Sequence, residues 1–342
     1  MNGARGISRR PRHSKAEYIA ADLSLAQTFP LQSCGGPYIV RSDRAGGFCC
    51  HNGAMARIAI VGAGAIGSVL AALLQSTERH ELILCTRRPL PHLHVDTPES
   101  SIDIRYTNLT TPSQADAVDW VLVATKTYDA AGAGAWIEHL CKQGAPVAVI
   151  QNGVEHRERF APYVPMEKIV PVIIDCPAER RSPESVHQRG PAELFLRADL
   201  LGRSFAALFD GSTAQITLTA DFLSAAWRKL CINSAGSISA MLGKPAGVFR
   251  DETIGQETLE VVRECAAVGR AVGAILDEDL PEKVLAQYRN YPIDSTNSLL
   301  ADRLAGRPME TDARIGAIVR YGRQHNVPTS RNSLLLALLE AI

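Results

Sequence analysis

The chain has 342 residues, 46% hydrophobic and 21% charged, which is enough ordinary globular sequence for two domains. Its 36 lysines and arginines balance its 36 aspartates and glutamates, which excludes the basic footprint of a nucleic-acid binder. No apolar stretch approaches the roughly 18–20 residues of a membrane span, so small neutral or anionic metabolites are the expected partners.

Residues 1–54 place Arg5, Arg9, Arg10, Arg12 and Lys15 among scattered Gly, Ser and Pro without sustained periodicity. They read as a dispensable, disordered extension, consistent with an upstream start codon ahead of Met55. An Arg-rich transit peptide is the alternative, and Glu17, Asp22 and Asp43 count against it.

The first strand is predicted over residues 57–61. It runs into Gly62-Ala63-Gly64-Ala65-Ile66-Gly67 and then into an alanine-leucine helix over 68–74. This is the order of a dinucleotide-binding βαβ start. Gly62 permits the turn off the strand, Gly64 lets backbone approach a pyrophosphate, and Gly67 allows close helix–sheet packing. The second strand is expected over 81–86. At its end, where an acid would hold an NAD ribose, stand Thr86-Arg87-Arg88. Two guanidiniums suit a 2′-phosphate, which points to NADPH; the bland alternative is solvated surface charge.

Further apolar runs over 119–125 and 146–151, separated by a helical segment over 127–141, continue the alternation that builds a parallel sheet. Lys126 and Asn152 follow these two strands, on the side where open α/β sheets bind ligands. Asn152-Gly153 can equally serve as a turn, and Lys126 as a partner for a helix terminus. Strands are then expected over 169–174, 192–196 and 215–219, with 177–190 as a loop.

From Asp221 onward the pattern is helical. Lys229, Asn233 and Ser237 recur every four residues along one side of a helix otherwise rich in Leu, Cys, Ile and Ala. Such a lysine can hold a carbonyl oxygen, or can be an ordinary surface residue. The fold class expected is α/β: a Rossmann-type N-terminal domain over 55–220 and an all-helical substrate and dimerisation domain over 221–342. The eight cysteines form no C-x-x-C pair and have no histidine spacing typical of zinc. No metal is therefore expected, and the chain reads as a reducing, cytoplasmic protein.

These motifs together resemble the ketopantoate reductase (2-dehydropantoate 2-reductase) family from Ala56 to about Ser330. The resemblance rests on the glycine turn, Arg87, Lys126, Gln151-Asn152-Gly153 and Val186-His187 with Gly190. It extends through Trp227-x-Lys229-Leu230-x-x-Asn233, Ser298-Leu299-Leu300-Ala301-Asp302 and Glu310-Thr311-Asp312-Ala313-Arg314. It implies NADPH-dependent reduction of 2-dehydropantoate, a small 2-keto acid, to pantoate in the pantothenate pathway, by a monomer or homodimer. Lys229 is implied as the general acid, with Asn233 and Ser298 holding substrate. Asn152 and Lys126 are implied at the nicotinamide and ribose end of the cofactor. Glu310 is implied to approach the substrate hydroxyl and Lys229, beside the cofactor. The chain departs from the family twice. Ser237, counted here among the substrate residues, replaces a second asparagine, and Ile315 replaces an asparagine before Gly316. Those changes leave the hydride chemistry in place and open the alternative of a less polar keto compound; a non-catalytic NADP-binding regulator is a separate alternative, and Lys229, Asn233 and Glu310 together count against it.

Overall fold

The computed structural model describes residues 55–342; the expected N-terminal extension lies outside the described residues. In chain order the first strands are β1 (Arg57–Val61), β2 (Glu81–Cys85), β3 (His94–Asp96), β4 (Ser101–Asp103), β5 (Thr107–Leu109) and β6 (Trp120–Val123). They are followed by β7 (Val147–Val149), β8 (Ile169–Pro171), β9 (Ile173–Asp175), β10 (Ala178–Ser182), β11 (Ser185–Gln188), β12 (Glu193–Arg197) and β13 (Gln215–Thr219).

Six of them form an all-parallel sheet in the order β5-β2-β1-β6-β7-β8. β1, β2, β6 and β7 are almost wholly buried, as strands covered on both faces must be. The order reverses between β1 and β6, and that switch point opens a crevice at the carboxyl ends of the strands. Helices α1 (Ala65–Gln75), α2 (Ala130–Leu140), α3 (His156–Phe160) and α4 (Leu200–Ala207) belong to this half of the chain. One apolar cluster packs Leu70 and Leu74 of α1 against Ile58, Ile60 and Leu122. A second packs Trp136 and Ile137 of α2 against Val61, Val121 and Val123 on the opposite face.

Two sequence expectations change here. Residues 177–190, expected as a loop, form the antiparallel hairpin β10–β11, which joins β3 and β4 in a four-stranded sheet. Fully buried Val186 anchors the hairpin to the core. The single strand expected over 169–174 divides at Val172: β8 closes the parallel sheet, and β9 pairs with β12 in a separate three-stranded sheet.

The second half is helical: α5 (Phe222–Leu242), α6 (Glu252–Val272), α7 (Leu280–Asn290), α8 (Ser298–Leu304), α9 (Ala317–Gln324) and α10 (Ser330–Glu340). Asp221 caps α5 by accepting from Ser224 N at 3.1 Å, and Gly243 ends it in a left-handed conformation, φ +64°. Trp227, Cys231 and Ala235 of α5 pack with Val262, Cys265 and Ala266 of α6 in the core of this half. A single π turn, Asp312–Gly316, precedes α9. Glu155 holds Arg320 through two hydrogen bonds, 2.9 and 2.6 Å, tying the halves together. Among the described residues no helix is long and apolar enough to cross a membrane.

Candidate active site

A cleft of about 2220 Å³ runs from the glycine turn to α5 and α8. Pockets for one small ligand occupy roughly 300–1,000 Å³, so this space can take a dinucleotide and a small substrate together.

At one end, Gly62 adopts φ +101°, and a Cβ there would stand 2.9 Å from the Thr125 backbone. A Cβ on Gly67 would come within 2.0 Å of the Gly62 carbonyl oxygen, so α1 can sit against the strand only with glycine at both positions. Gly64 lines the cleft, and a Cβ on it would meet nothing within 4 Å; it would simply fill ligand space. Gly64 also gives α1 no side-chain cap, so the first-turn amides stay available to an anion. Arg87 and Arg88 line the same end, and among the described residues the Arg87 side chain, 87% exposed, makes only a long 3.5 Å contact, to Asp129.

The middle of the cleft is built from the ends of β6 and β7. Gln151 Nε2 donates to the Thr125 carbonyl at 2.9 Å, tying the two strand ends together. His156 Nε2 donates to the Gln151 carbonyl at 2.9 Å. Burial pushes the His156 pKa down to about 4, so it holds this turn as a neutral ring at physiological pH. Gly153 then turns with φ +99°, and a Cβ on it would lie 2.5 Å from the Ala313 carbonyl oxygen of the helical half.

Asn152, Lys126 and Glu310 converge across the two halves. Glu310 Oε1 accepts from Thr127 N at 3.0 Å, and Oε2 accepts from Asn152 Nδ2 at 3.0 Å and Lys126 Nζ at 3.2 Å. Lys126 also reaches Asp302 Oδ2 at 2.7 Å, and Arg307 Nε holds the other Asp302 oxygen at 2.9 Å. Burial raises the Glu310 pKa, but Lys126, Arg314, the Thr127 amide and Asn152 outweigh it and leave it below the ordinary glutamate value. Burial likewise works against the Lys126 ammonium, but Glu310 and Asp302 outweigh it, and its pKa lies above the usual lysine value.

Because folded Glu310 titrates below an unfolded carboxyl of about 4.3, its charge stabilises the fold above that pH and ceases to do so as pH falls through the folded value. Wild type should therefore exceed Glu310→Gln in urea stability near pH 7, and the gap should narrow as pH falls below the unfolded value of about 4.3. A gap independent of pH would contradict the ionised network.

On α5, Lys229 Nζ forms an ion pair with Asp175 Oδ2 at 2.8 Å, and Asn233 Nδ2 lies 3.5 Å from Asn152 Oδ1. Ser298, at the start of α8, accepts from Arg314 Nη2 at 2.7 Å. Buried Arg314 has donors only, so the Ser298 hydroxyl hydrogen stays free to donate.

Thus Lys126, Asn152, Lys229, Asn233, Ser298 and Glu310 all line one cleft with the glycine turn and Arg87. Two expectations need correction. Glu310 pairs with Lys126 and Asn152, while Lys229 pairs with Asp175, because three donors converge on the glutamate from the strand ends. Ser237 is fully buried, donates to the Asn233 carbonyl at 3.1 Å and does not line the cleft. Ile315 is fully buried in the helical core and does not line it either. Asp175, Asp302 and Arg314 carry contacts that received no role from sequence. Asp302 and Arg314 belong to the motifs at 298–302 and 310–314, whereas Asp175 ends a strand whose separation from β8 has no local signal.

The chain matches the family model described as ketopantoate reductase PanE/ApbA over residues 58–198, and the corresponding C-terminal model over residues 221–342. It is 43% identical over 287 residues to the 2-dehydropantoate 2-reductase of Caulobacter vibrioides, covering 84% of this chain and 99% of that one. The Mycobacterium tuberculosis 2-dehydropantoate 2-reductase is 36% identical over 295 residues, covering 83% and 97%. A crystal structure of 2-dehydropantoate 2-reductase from Geobacter metallireducens superposes with a TM-score of 0.77 at 26% identity, covering 83% and 99%. With both halves matched in order and the relatives covered almost end to end, the chain belongs to the ketopantoate reductase family.

Proposed function

We propose that this chain reduces 2-dehydropantoate to pantoate with NADPH, Lys229 being the proton donor. The observation that carries the reading is the meeting, in one cleft, of a phosphate-ready glycine turn with the Lys229, Asn233, Asn152 and Ser298 polar groups. The names of the relatives support the substrate.

The residues present suit the cofactor. Gly64 leaves room for a pyrophosphate at the uncapped start of α1, and exposed Arg87, with Arg88 beside it, suits a 2′-phosphate. NADPH held there would supply a hydride to the keto carbon. As negative charge grows on the ketone oxygen, the Lys229 ammonium stabilises it and gives it a proton, completing the alcohol. Asp175 aims that ammonium, and Asn233 and Asn152 offer amides beside it. The free Ser298 hydrogen is suited to the substrate carboxylate. Glu310 fixes the Asn152 amide by accepting from its nitrogen, which leaves its oxygen toward Asn233. All five cysteines of the described residues are free thiols, in keeping with a cytoplasmic enzyme.

Replacing Arg87 by Ala should raise the Kd for NADPH about tenfold or more while leaving NADH nearly unchanged, since a charge-assisted contact to phosphate contributes about 1.5–3 kcal/mol. Fluorescence titration with both cofactors checks this; a wild type that prefers NADH would refute it. The substrate is tested by assaying NADPH oxidation with a panel of keto acids. Highest kcat/KM for 2-dehydropantoate supports the reading; a preference for a bulkier, less polar keto compound would favour the alternative. Ser237 and Ile315 give that alternative little support, because neither lines the cleft.

A further inference from the structure

The outer face of the small mixed sheet carries a cluster that the reductase reading does not use. Leu93 and Val95 are fully buried, so strand alternation turns His92, His94 and Asp96 toward solvent. Asp103 on β4 is the antiparallel register partner of His94. One oxygen of Asp103 lies 2.7 Å from His94 Nδ1 and 3.3 Å from His92 Nε2. The three side chains offer ligand atoms that all lie within 4.8 Å of one another. In a tetrahedral site with metal–ligand distances of about 2.0–2.1 Å, neighbouring donor atoms stand about 3.3 Å apart. Small side-chain adjustments would bring this trio to that spacing.

The shell behind the trio is also built. His94 Nε2 lies 3.2 Å from Asp96 Oδ1, and Ser101 Oγ donates to the same oxygen at 2.6 Å. A histidine that gives one ring N–H to a carboxylate presents the lone pair of its other nitrogen, and metal centres use this arrangement to fix the tautomer. In the metal-free chain the 2.7 Å approach of Nδ1 to Asp103 is a hydrogen bond from the ring to the carboxylate, and a metal ion would displace that proton and take the Nδ1 lone pair.

We propose that His92, His94 and Asp103 bind a late first-row divalent cation such as Zn²⁺, with Asp96 as a positioning residue. Two imidazoles and one carboxylate suit Zn²⁺, Ni²⁺ or Cu²⁺, whereas Mg²⁺ and Ca²⁺ call for oxygen ligands. Three protein ligands leave one coordination position for water. His92 and Asp103 are exposed, so the site can load directly from solvent. Among the described residues no other trio of His, Cys, Asp or Glu comes together in this way.

The test is a Zn²⁺ titration of the metal-free full chain against a chromogenic chelator, comparing wild type with His92→Ala and Asp96→Asn. Circular dichroism and matched thermal midpoints check the fold of each variant. Because the chain also contains eight cysteines, the difference between chains identifies the site. Wild type should take up one more Zn²⁺ than His92→Ala. Asp96→Asn should keep the wild-type stoichiometry but bind about 10–100-fold more weakly. Equal uptake and affinity in wild type and His92→Ala would overturn the site. Wild-type affinity in Asp96→Asn would overturn the positioning role. Co²⁺ gives an independent readout: a visible spectrum without thiolate charge transfer, lost in His92→Ala, supports the trio. A thiolate-dominated spectrum unchanged by that substitution contradicts it.

Discussion

Lys229→Ala should lower turnover by about 10²–10⁴, the usual contribution of a positioned general acid, while the Kd for NADPH stays close to wild type. Lys229 sits on α5, across the cleft from the glycine turn and Arg87, so its loss removes the proton donor without touching the proposed phosphate contacts. Its ion pair with Asp175 also joins the two halves of the chain, and a purely structural lysine would act through that pair. Asp175→Asn separates the roles, because it weakens the same pair but keeps the ammonium. If the lysine is structural, both variants should fall together in turnover and thermal stability. If it is the acid, Lys229→Ala should be far slower than Asp175→Asn. Stopped-flow turnover and fluorescence titration of NADPH on both variants decide between these outcomes, and retained turnover in Lys229→Ala would rule out the general-acid role.

Gly153→Ala should lower kcat/KM by about 10²-fold and also reduce the thermal midpoint. Its φ of +99° is unfavourable for any side chain, and the added Cβ would meet the Ala313 carbonyl at 2.5 Å, a backbone atom that cannot rotate aside. Relief requires the turn and the helical half to separate. That movement would carry Asn152 away from both Glu310 and Asn233, and a displacement of about 1 Å in a positioning group can cost 10²-fold in rate. Gly144→Ala is the matched control. It has φ +86° with nothing within 4 Å of the new Cβ, so it reports backbone strain without the clash. Thermal melts and steady-state kinetics on the pair should show a stability loss in both variants and a catalytic loss only in Gly153→Ala. Wild-type kinetics in Gly153→Ala would mean that the close approach to Ala313 does not set the site.

The features legible in sequence are those with a local physical signature. The glycine turn announces itself because φ at Gly62 and the approach of Gly67 to the Gly62 carbonyl admit no other residue. The central strands announce themselves because burial on both faces demands continuous apolar runs. β3, β4 and β5 are three residues each, too short to show a period, and β10 reads as polar because most of it is exposed. Side-chain partners have no local signature at all: Lys126 and Glu310 are 184 residues apart, and nothing near Lys229 indicates Asp175. Ser237 shows how far a spacing argument reaches. Each four-residue step along an α-helix turns about 40° beyond a full revolution, so a position two steps from Lys229 has rotated by about 80°. That rotation takes Ser237 off the cleft and into the helical core, and with it goes one of the two residue-based reasons to doubt a polar substrate, the other being Ile315, which is buried in the helical core.

The most direct measurement follows the hydrogen itself. The enzyme is incubated with 2-dehydropantoate and NADPH carrying deuterium at C4 of the nicotinamide, each C4 face labelled in turn, and the product is examined by mass spectrometry and NMR. One of the two labelled cofactors should deliver a single deuterium to C2 of pantoate, with one cofactor oxidised per pantoate formed. Pantoate without deuterium from either label, or no pantoate at all, would contradict direct hydride transfer in this cleft.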